Sequence, residues 1–278
     1  MNEDVLYRLL RALASDGVFV EEPVQVFANT PASELLRRDH PQSWPDFAHL
    51  FGDLFYRMFS DAEGALRTGA ATFPATFGVE FWTWLKEHPA EGAVFNRAMA
   101  GSAEDRVDDL EKLDWADETV VVDVGGGNGA VLVELLRRRP RLRGIVHDLP
   151  ETAAEAEEVI ARAGLGDRCT VVAGSFFESV PTGDVYVLSR ILHDWDDERA
   201  ARILSTIGAA APTHARLVIR DAVIPQDNEP HGSKWLDLLM LLVAGGRERK
   251  EDEWHTLLAG AGFRAQRLED GLIEAVPA

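Results

Sequence analysis

The chain has 278 residues and a formal net charge of −19 at pH 7, with acidic residues spread along the sequence. Nucleic acids and anionic membranes both recruit cationic proteins, so this balance argues against either as a partner. With 46% hydrophobic residues, Cys169 as the sole cysteine and no apolar run of about eighteen residues, the sequence predicts a cytoplasmic protein with sizeable cores, no disulfide, no signal peptide and no membrane span.

The first elements are a helix and a hairpin. Apolar residues recur with helical spacing over residues 4–15, and residues 18–29 alternate like a short hairpin. Thr30 and Pro31 then form a helix start, a capping hydroxyl followed by proline at the first helical position. Together these elements suggest the later part of a winged helix. Because the stretch is acidic, we expect a structural or dimerisation role rather than DNA binding.

Aromatic and methionine side chains are concentrated in the next part of the chain. Residues 44–68 and 79–99 are predicted to be helices, and such apolar stripes usually form core. Here they are dense enough that part of them is expected to line an apolar pocket for an aromatic ligand. Residues 103–113 continue as a charged amphipathic helix. We place the domain boundary near residue 104, dividing 1–103 from 104–278.

From residue 119 onward, short apolar runs alternate with helical patterns. This alternation predicts an α/β fold, a doubly wound parallel sheet with helices on both faces. Residues 251–262 are a predicted helix, and the two runs after it are separated by Asp270 and Gly271, which predicts a closing antiparallel hairpin. The other predicted strands are 119–124, 143–147, 168–173, 184–189 and 215–221, with helices at 129–139, 151–163 and 196–211.

A glycine-rich turn follows the first strand of this sheet, where Asp123 precedes the sequence Val-Gly-Gly-Gly-Asn-Gly. Glycines allow positive φ and a close approach of ligand to backbone, and the helix start behind them supplies free N–H groups. Asp148 lies 23 positions after Gly125 and is placed to accept hydrogen bonds from a ribose. It could instead cap the helix that begins near Pro150. The turn suits NAD or S-adenosylmethionine, and a carboxylate at Asp123, able to hold an amino group, favours the latter.

A second polar group, ILHDWDDE, directly follows a later strand. Ligands of doubly wound sheets bind at the carboxyl ends of the strands, so His193 is placed to take a proton from a hydroxyl. The alternative is a helix-capping or buried structural histidine. Asp221 follows the strand RLVIR and Glu248 lies in GGRER, and either could orient the imidazole. No group of residues has convincing metal-ligand spacing.

Taken together, VVDVGGGNG, HDLPET, VVAGSFFESVP, LSRILHDWDDE, IRDAVIP and GGRER resemble the S-adenosylmethionine-dependent O-methyltransferases that act on small phenolic molecules. These include plant caffeic acid O-methyltransferase-like enzymes and bacterial anthracycline or polyketide O-methyltransferases. The resemblance implies a winged-helix dimerisation domain, a Rossmann-like methyltransferase domain, a homodimer and a small aromatic hydroxylated substrate. Family members usually begin with several more dimerisation helices, so the N-terminal domain is expected to be short.

The resemblance also implies roles for individual residues. His193 matches the general base, flanked by Asp221 and Glu248. The family usually has Asp where this chain has Ser175, so one adenine contact is expected to be weaker or made through water. The expected cofactor contacts are Asp123, Gly125, Gly126, Gly127, Asp148, Leu149, Ser175, Phe176 and Ser189. The expected substrate-lining residues are Phe95, Asn96, Met99 and Met240.

Three other functions remain open at this point. A related enzyme could use the cofactor structurally, for hydroxylation or decarboxylation of an aromatic polyketide, although the intact set of His193, Asp221 and Glu248 favours methylation. A non-enzymatic winged-helix sensor of small molecules is disfavoured by the acidic N-terminal half. A nicotinamide oxidoreductase would suit the glycine turn alone, but a closing antiparallel hairpin is less usual in such enzymes.

Overall fold

The computed structural model describes residues 1–40, 43–101, 103–117, 119–269 and 271–278. A helical N-terminal region comes first along the chain, and a sheet flanked by helices follows it. In the described ranges, no helix is long and apolar enough to cross a membrane.

The predicted N-terminal helix and hairpin are present. The hydroxyl of Thr30 donates to the Gly17 carbonyl (2.8 Å), which ties the end of the hairpin to the end of the first helix. The helix that begins after Thr30 is a single turn, shorter than its start signal suggests. The elements are α1 (Glu3–Ser15), β1 (Phe19–Glu21), β2 (Phe27–Asn29), paired antiparallel with β1, and α2 (Pro31–Glu34).

Short helices fill residues 45–100, and the prediction of two uninterrupted helices there is wrong in detail. Gly69 and Gly78 lie between the two predicted helices, and each ends a short helix in the left-handed conformation, with φ of 71° and 85°. Pro89 holds His88 out of the helical region, which separates two further helices. The elements are α3 (Pro45–Leu50), a π-helical turn (Phe51–Phe55), α4 (Tyr56–Phe59), α5 (Ala62–Thr68), α6 (Phe73–Phe77), α7 (Phe81–Glu87) and α8 (Pro89–Ala100).

The alternation of strands and helices in the second region is confirmed. The five predicted parallel strands begin and end within one residue of the observed ones, because buried apolar runs mark them clearly. The elements are α9 (Ala103–Glu111), β3 (Val120–Val124), α10 (Ala130–Arg138), β4 (Arg143–Asp148), α11 (Pro150–Arg162), β5 (Cys169–Ala173), β6 (Val185–Ser189), α12 (Asp197–Ala210), β7 (Arg216–Arg220), α13 (Gly232–Ala244), α14 (Glu251–Gly260), β8 (Phe263–Glu269) and β9 (Leu272–Pro277).

Within the described residues the sheet has seven strands, in the order β5-β4-β3-β6-β7-β9-β8. Strands β3 to β7 are parallel, and β9 runs antiparallel to both β7 and β8, as the predicted hairpin requires. Asp270 of the predicted hairpin turn lies outside the described residues. The chain continues from β3 to β4 on one side and, later, to β6 on the other, so the strand order reverses at β3. Ligands of open α/β sheets bind at that position.

Helix α13 was not predicted from the sequence. Its stretch WLDLLMLLVA has too few polar residues to show the two faces of an amphipathic helix. The structure explains this composition, because Leu239, Met240, Leu242 and Val243 pack into the core of the N-terminal helices. The N–H of Thr72 also donates to the Leu242 carbonyl (3.1 Å). Helix α13 therefore holds the N-terminal helices beside the sheet.

Candidate active site

The glycine turn after β3 has the backbone that its sequence predicts. Gly125, Gly127 and Gly129 all have positive φ, of 72°, 59° and 76°. A Cβ on Gly125 would lie 2.6 Å from Ile191 Cδ1, and one on Gly126 would lie 2.8 Å from the carboxyl carbon of Asp123. Side chains are therefore excluded here by backbone conformation and by lack of space, which leaves the backbone open to a ligand.

Asp123 lies at the end of β3, and its side chain is buried. Among the described residues no group donates a hydrogen bond to its Oδ2 atom. Burial raises the pKa of Asp123 to about 7, with Arg106 opposing the rise and Asp148 adding to it. A buried carboxylate oxygen without a donor is costly. It is therefore suited to a cationic group of a ligand, such as the amino group of a methionine.

Asp148 ends β4 on the other side of the turn. One carboxylate oxygen accepts from the N–H of Gly127 (2.8 Å), and the other accepts from the N–H of Leu149 (2.7 Å). Burial raises the pKa of Asp148, and these two backbone hydrogen bonds oppose the rise. The N-cap of α11 is Leu149, so the structure does not support the alternative of Asp148 as a helix cap. Each carboxylate oxygen keeps a lone pair that can accept from a ribose hydroxyl.

The remaining predicted cofactor residues lie at the same edge of the sheet. Ser175 and Phe176 follow β5, and Phe176 approaches within 3.5 Å of a Cβ built on Gly125. The Ser175 hydroxyl accepts from the N–H of Phe177 (3.3 Å). Ser189 ends β6, and its buried hydroxyl has no partner in the described part of the chain. The unpaired atoms of Asp123 and Ser189 fit a polar ligand lying across the ends of β3 and β6.

His193 lies on a 3₁₀ turn (Leu192–Asp194) that follows β6. Its Nδ1 atom is 2.7 Å from Oε1 of Glu248, and its backbone N–H donates to Asp221 (3.2 Å). A carboxylate only accepts hydrogen bonds, so this contact assigns the proton to Nδ1 and leaves Nε2 as the basic atom. Of the two acids predicted to flank the base, Glu248 therefore orients the ring and Asp221 holds the peptide.

The imidazole is surrounded by carboxylates. Burial of the ring lowers the pKa of His193, but Asp221, Asp194 and Glu248 raise it, and the net result is a pKa of about 9. Burial raises the pKa of Asp194 to about 7, partly offset by His193. Burial also raises the pKa of Asp221. The carboxylates around the ring therefore favour the imidazolium form of His193.

This raised pKa predicts an alkaline pH dependence. Because His193 must be neutral to take a proton, kcat/KM should rise with pH up to about 9. Glu248→Gln removes one of the negative neighbours, so the rise should move to lower pH. The reference pKa is 6.5, so the stability that His193 contributes is complete below about 6.5 and lost as pH rises through about 9. The pH profiles of kcat/KM for the wild-type protein and Glu248→Gln, measured with the same acceptor, test the predicted shift, because ionisation of the acceptor affects both profiles equally. Coincident profiles would contradict it.

A second set of contacts surrounds His193 and is not predicted from the sequence. The carboxylate of Asp194 lies 3.6 Å from Nε2 of His193. The N–H of Arg247 donates to the His193 carbonyl (2.8 Å), and a Cβ on Gly246 would lie 2.1 Å from that same oxygen. Arg249 is fully buried beside the same turn. Gly246, Arg247 and Arg249 belong to the stretch GGRER, in which the sequence indicates a role only for the glutamate.

The predicted substrate-lining residues have different surroundings. The Phe95 ring packs edge-on against Trp82, with centroids 5.7 Å apart. The amide of Asn96 donates to Glu155 on α11 (3.2 Å), and the Met99 carbonyl accepts from Arg106. Met240 is only 8% exposed and packs within the core of the N-terminal helices.

A cavity of about 330 Å³ opens between α7 and α12. Trp195, two residues after His193, lines it together with Trp82 and Phe177, and the two indole rings are roughly parallel at 6.4 Å. Arg199 and Arg202 border it, each placed over one of these aromatic rings. No cluster of potential metal ligands occurs in the described ranges. Glu80 also lines the cavity, which is therefore aromatic in its walls and carries two arginines and one carboxylate at its border.

The glycine turn at the strand-order reversal, the acid at the end of β4 and the buried histidine beside them define a class, the Rossmann-like enzymes that use a nucleoside cofactor. A family model described as an O-methyltransferase domain matches residues 56–264. The phenazine O-methyltransferase PhzM of Lysobacter antibioticus is 41% identical over 266 residues, covering 95% of this chain and 78% of that protein. The chain belongs to this O-methyltransferase family, and it is an enzyme whose cofactor is S-adenosylmethionine.

Solved structures agree with this assignment. The crystal structure of LaPhzM superimposes with a TM-score of 0.93 at 40% identity, covering 99% of this chain and 85% of that one. NcsB1, an O-methyltransferase from neocarzinostatin biosynthesis, was solved with S-adenosyl-L-homocysteine and 1,4-dihydroxy-2-naphthoic acid. It superimposes with a TM-score of 0.85 at 34% identity, covering 99% of this chain and 85% of that one.

Proposed function

We propose that this enzyme methylates a hydroxyl group of a small aromatic natural product, with His193 as general base. The observation that carries this proposal is the buried imidazole, whose Nδ1 is hydrogen-bonded to Glu248 while Nε2 is left to accept a proton. Bound S-adenosylmethionine supplies an electrophilic methyl group on a positively charged sulfur. The protein then has to align the acceptor and take its proton.

Each part of the site has a defined task in this proposal. Nε2 of His193 takes the hydroxyl proton, which frees the acceptor oxygen to bond to the methyl group that the cofactor would supply. Glu248 stabilises the resulting imidazolium through Nδ1, and Asp221 adds negative charge while holding the peptide of His193. A positioned base typically contributes roughly 10²–10⁴-fold to the rate.

The orphaned polar atoms at the sheet edge support the cofactor assignment. We propose that Asp123 and the turn at Gly125, Gly126 and Gly127 hold the methionine end, and that Asp148 holds the ribose. Leu149, Ser175 and Phe176 would enclose the adenine, and Ser189 would lie close to the cofactor. Ser175 has a hydroxyl where a carboxylate is usual, so its contribution to adenine binding is expected to be small.

Aromatic side chains support an aromatic acceptor. Phe95 packs against Trp82, which also lines the cavity beside Trp195. One related protein is named a phenazine O-methyltransferase, and the structure of another, NcsB1, contains 1,4-dihydroxy-2-naphthoic acid. We propose that Phe95, Asn96, Met99 and Met240 contribute to the acceptor side of the cleft, Met240 by packing behind it.

The N-terminal region supports two further proposals. Val5, Leu9, Val24 and Val26 are each more than half exposed, which is unusual for so many apolar residues close together in the sequence. We propose that they contact a second copy of the chain, in a homodimer built on a winged-helix element. We also propose a domain boundary before α9, because Val107 and Leu110 pack with the core of the sheet.

We propose that the cavity between α7 and α12 is part of the acceptor cleft, and its charges then predict a substrate preference that can be measured. Arg202 borders the cavity without a carboxylate partner among the described residues, so an aromatic acid should bind better than the matching neutral phenol. Arg202→Gln should raise the KM of a hydroxynaphthoate about fivefold, which is the upper range for an exposed charge pair, and leave that of a naphthol unchanged. Arg202→Lys should keep most of the preference. Equal effects of Arg202→Gln on both acceptors would count against a charge contact.

The proposed function is tested by binding and by turnover. S-adenosyl-L-homocysteine should raise the melting temperature of the protein, and NAD should leave it unchanged. A panel of hydroxylated aromatics should then be screened for cofactor turnover to S-adenosylhomocysteine and for the corresponding methyl ether. A melting temperature that responds to NAD alone, or cofactor binding with no methylated product across the panel, would overturn the proposal.

A further inference from the structure

Arg249 is a fully buried cation next to the catalytic turn. One of its terminal nitrogens donates to the Leu192 carbonyl (3.0 Å), and the other donates to the Trp195 carbonyl (2.9 Å). Its Nε donates to the Asp197 carboxylate (2.8 Å) at the start of α12. These acceptors compensate the guanidinium for the loss of water, which a buried charge requires.

Two of the three carbonyls that Arg249 binds flank His193 in the sequence, and the third is that of Arg247 (3.4 Å). Leu192 precedes the histidine directly, and Trp195 ends the 3₁₀ turn that carries it. Within the turn the Leu192 carbonyl also accepts from the Trp195 N–H (3.2 Å), and a 3₁₀-type hydrogen bond of this kind has poorer geometry than an α-helical one. A planar guanidinium holds two acceptors in a fixed relation to each other, whereas a lysine ammonium does not.

Neighbouring residues hold the same turn from the same side. We call residues 245–250 the strap. Its Arg247 N–H donates to the His193 carbonyl (2.8 Å), and its Glu248 binds the imidazole (2.7 Å). Arg249 adds the contacts to the Leu192 and Trp195 carbonyls. Three consecutive strap residues therefore bind the carbonyls of Leu192, His193 and Trp195 and the ring of His193.

Arg249 also affects the charge of the site. Asp194, Asp221 and Glu248 surround the imidazole. Burial raises the pKa of Asp221, while His193 and, more weakly, Arg249 lower it. The ion-pair partner of Arg249, Asp197, is itself 55% exposed and lies outside the group of acids around the ring. Replacing Arg249 by Lys keeps the positive charge and removes the fork, which separates the two effects.

We propose that Arg249 is a positioning residue, whose guanidinium fixes the turn from Leu192 to Trp195 so that Nε2 of His193 faces the acceptor hydroxyl. The consequence for turnover rests on the proposed methyl transfer. The consequence for the geometry of the ring does not. Displacement of a catalytic group by about 1 Å can cost on the order of 100-fold in rate.

The test compares Arg249→Lys with Asp197→Asn. Rates are expressed per binding site for S-adenosyl-L-homocysteine, counted by calorimetry, so that unfolded protein does not contribute. Arg249→Lys should lower kcat on the order of 10- to 100-fold with the dissociation constant of S-adenosyl-L-homocysteine and the KM of the acceptor unchanged. Asp197→Asn keeps both carbonyl contacts and should remain within about threefold of wild type. A kcat for Arg249→Lys within threefold of wild type, or an equal loss in Asp197→Asn, would overturn the proposal. So would loss of cofactor binding, since Arg249 would then support the whole domain.

The ring itself gives a readout that does not depend on methyl transfer. In protein labelled with ¹⁵N-histidine and measured above about pH 9, where the ring is neutral, the His193 signal, assigned by its absence in His193→Gln, should show a single tautomer with the proton on Nδ1. Arg249→Lys should shift this signal or mix the tautomers. An unchanged His193 signal in Arg249→Lys would overturn the proposal even if no acceptor were ever found. A shifted signal together with an inactive wild-type enzyme would leave Arg249 in place and remove only the proposed function.

Discussion

His193→Gln should slow methyl transfer by roughly 10²–10⁴-fold and leave the affinity for S-adenosyl-L-homocysteine unchanged. The reason is that we propose Nε2 as the atom that takes the proton, while the unpaired atoms that we propose to face the cofactor belong to Asp123 and Ser189. Glutamine is polar and of similar length, but its amide nitrogen is not basic and cannot take the proton. The measurements are single-turnover rates with saturating cofactor and the dissociation constant from calorimetry.

The matched control is His214→Gln. His214 is exposed and lies 3.0 Å from Asp184, away from the acids around His193. We expect wild-type rates from this variant. Unchanged turnover in His193→Gln would contradict the assigned base, and a comparable loss in His214→Gln would show that the effect comes from general damage to the fold.

Gly246→Ala should lower kcat on the order of 100-fold. A Cβ at this position would lie 2.1 Å from the His193 carbonyl oxygen and 2.5 Å from the Asp194 carbonyl carbon. Atoms cannot approach so closely, and all of these atoms are backbone, so either the strap or the catalytic turn has to move. The hydrogen bond between Glu248 and the imidazole joins those two segments and should be lost with the movement.

The adjacent glycine is the matched control. Gly245 has φ of 72°, and a Cβ there would meet nothing within 4 Å. Gly245→Ala should therefore lower the free energy of unfolding by about 1–2 kcal/mol, because the backbone at this position is left-handed. Its kcat, measured well below its melting temperature, should equal that of the wild type. If Gly246→Ala keeps wild-type kcat and melting temperature, the strap and the turn are not packed as the structure has them. If both variants lose activity equally, any disturbance of the strap suffices.

Much of the fold can be predicted because its signals are local. The strands of the parallel sheet are buried on both faces and so appear in the sequence as apolar runs. The predicted strand ends therefore lie within one residue of the observed ones. Helix α13 was missed because its residues are apolar on most sides, and only the tertiary contacts of Leu239 and Leu242 with the N-terminal helices explain that composition. The break at Pro89 is visible in the sequence, but the density of aromatic residues around it favours one longer helix.

The candidate site shows the same limit. Glycines and acids at the ends of strands could be placed from the sequence, because parallel strands end at one edge. The sequence could not show which acid contacts the imidazole ring. Asp221 and Glu248 lie on separate segments and differ only in the atoms of His193 that they reach. Arg249 gave no signal at all, because a buried arginine bound to carbonyls reads like any surface arginine until the turn it holds is known.

The central claim is methyl transfer to an aromatic hydroxyl with His193 as the base. Its most direct test is mass spectrometry and NMR of the product formed from an active acceptor and S-adenosylmethionine carrying a trideuterated methyl group. We predict that the intact trideuterated methyl appears on the acceptor oxygen in the wild-type protein and is absent with His193→Gln. A product that has gained oxygen or lost carbon dioxide without the labelled methyl, or full labelling by His193→Gln, would contradict this account.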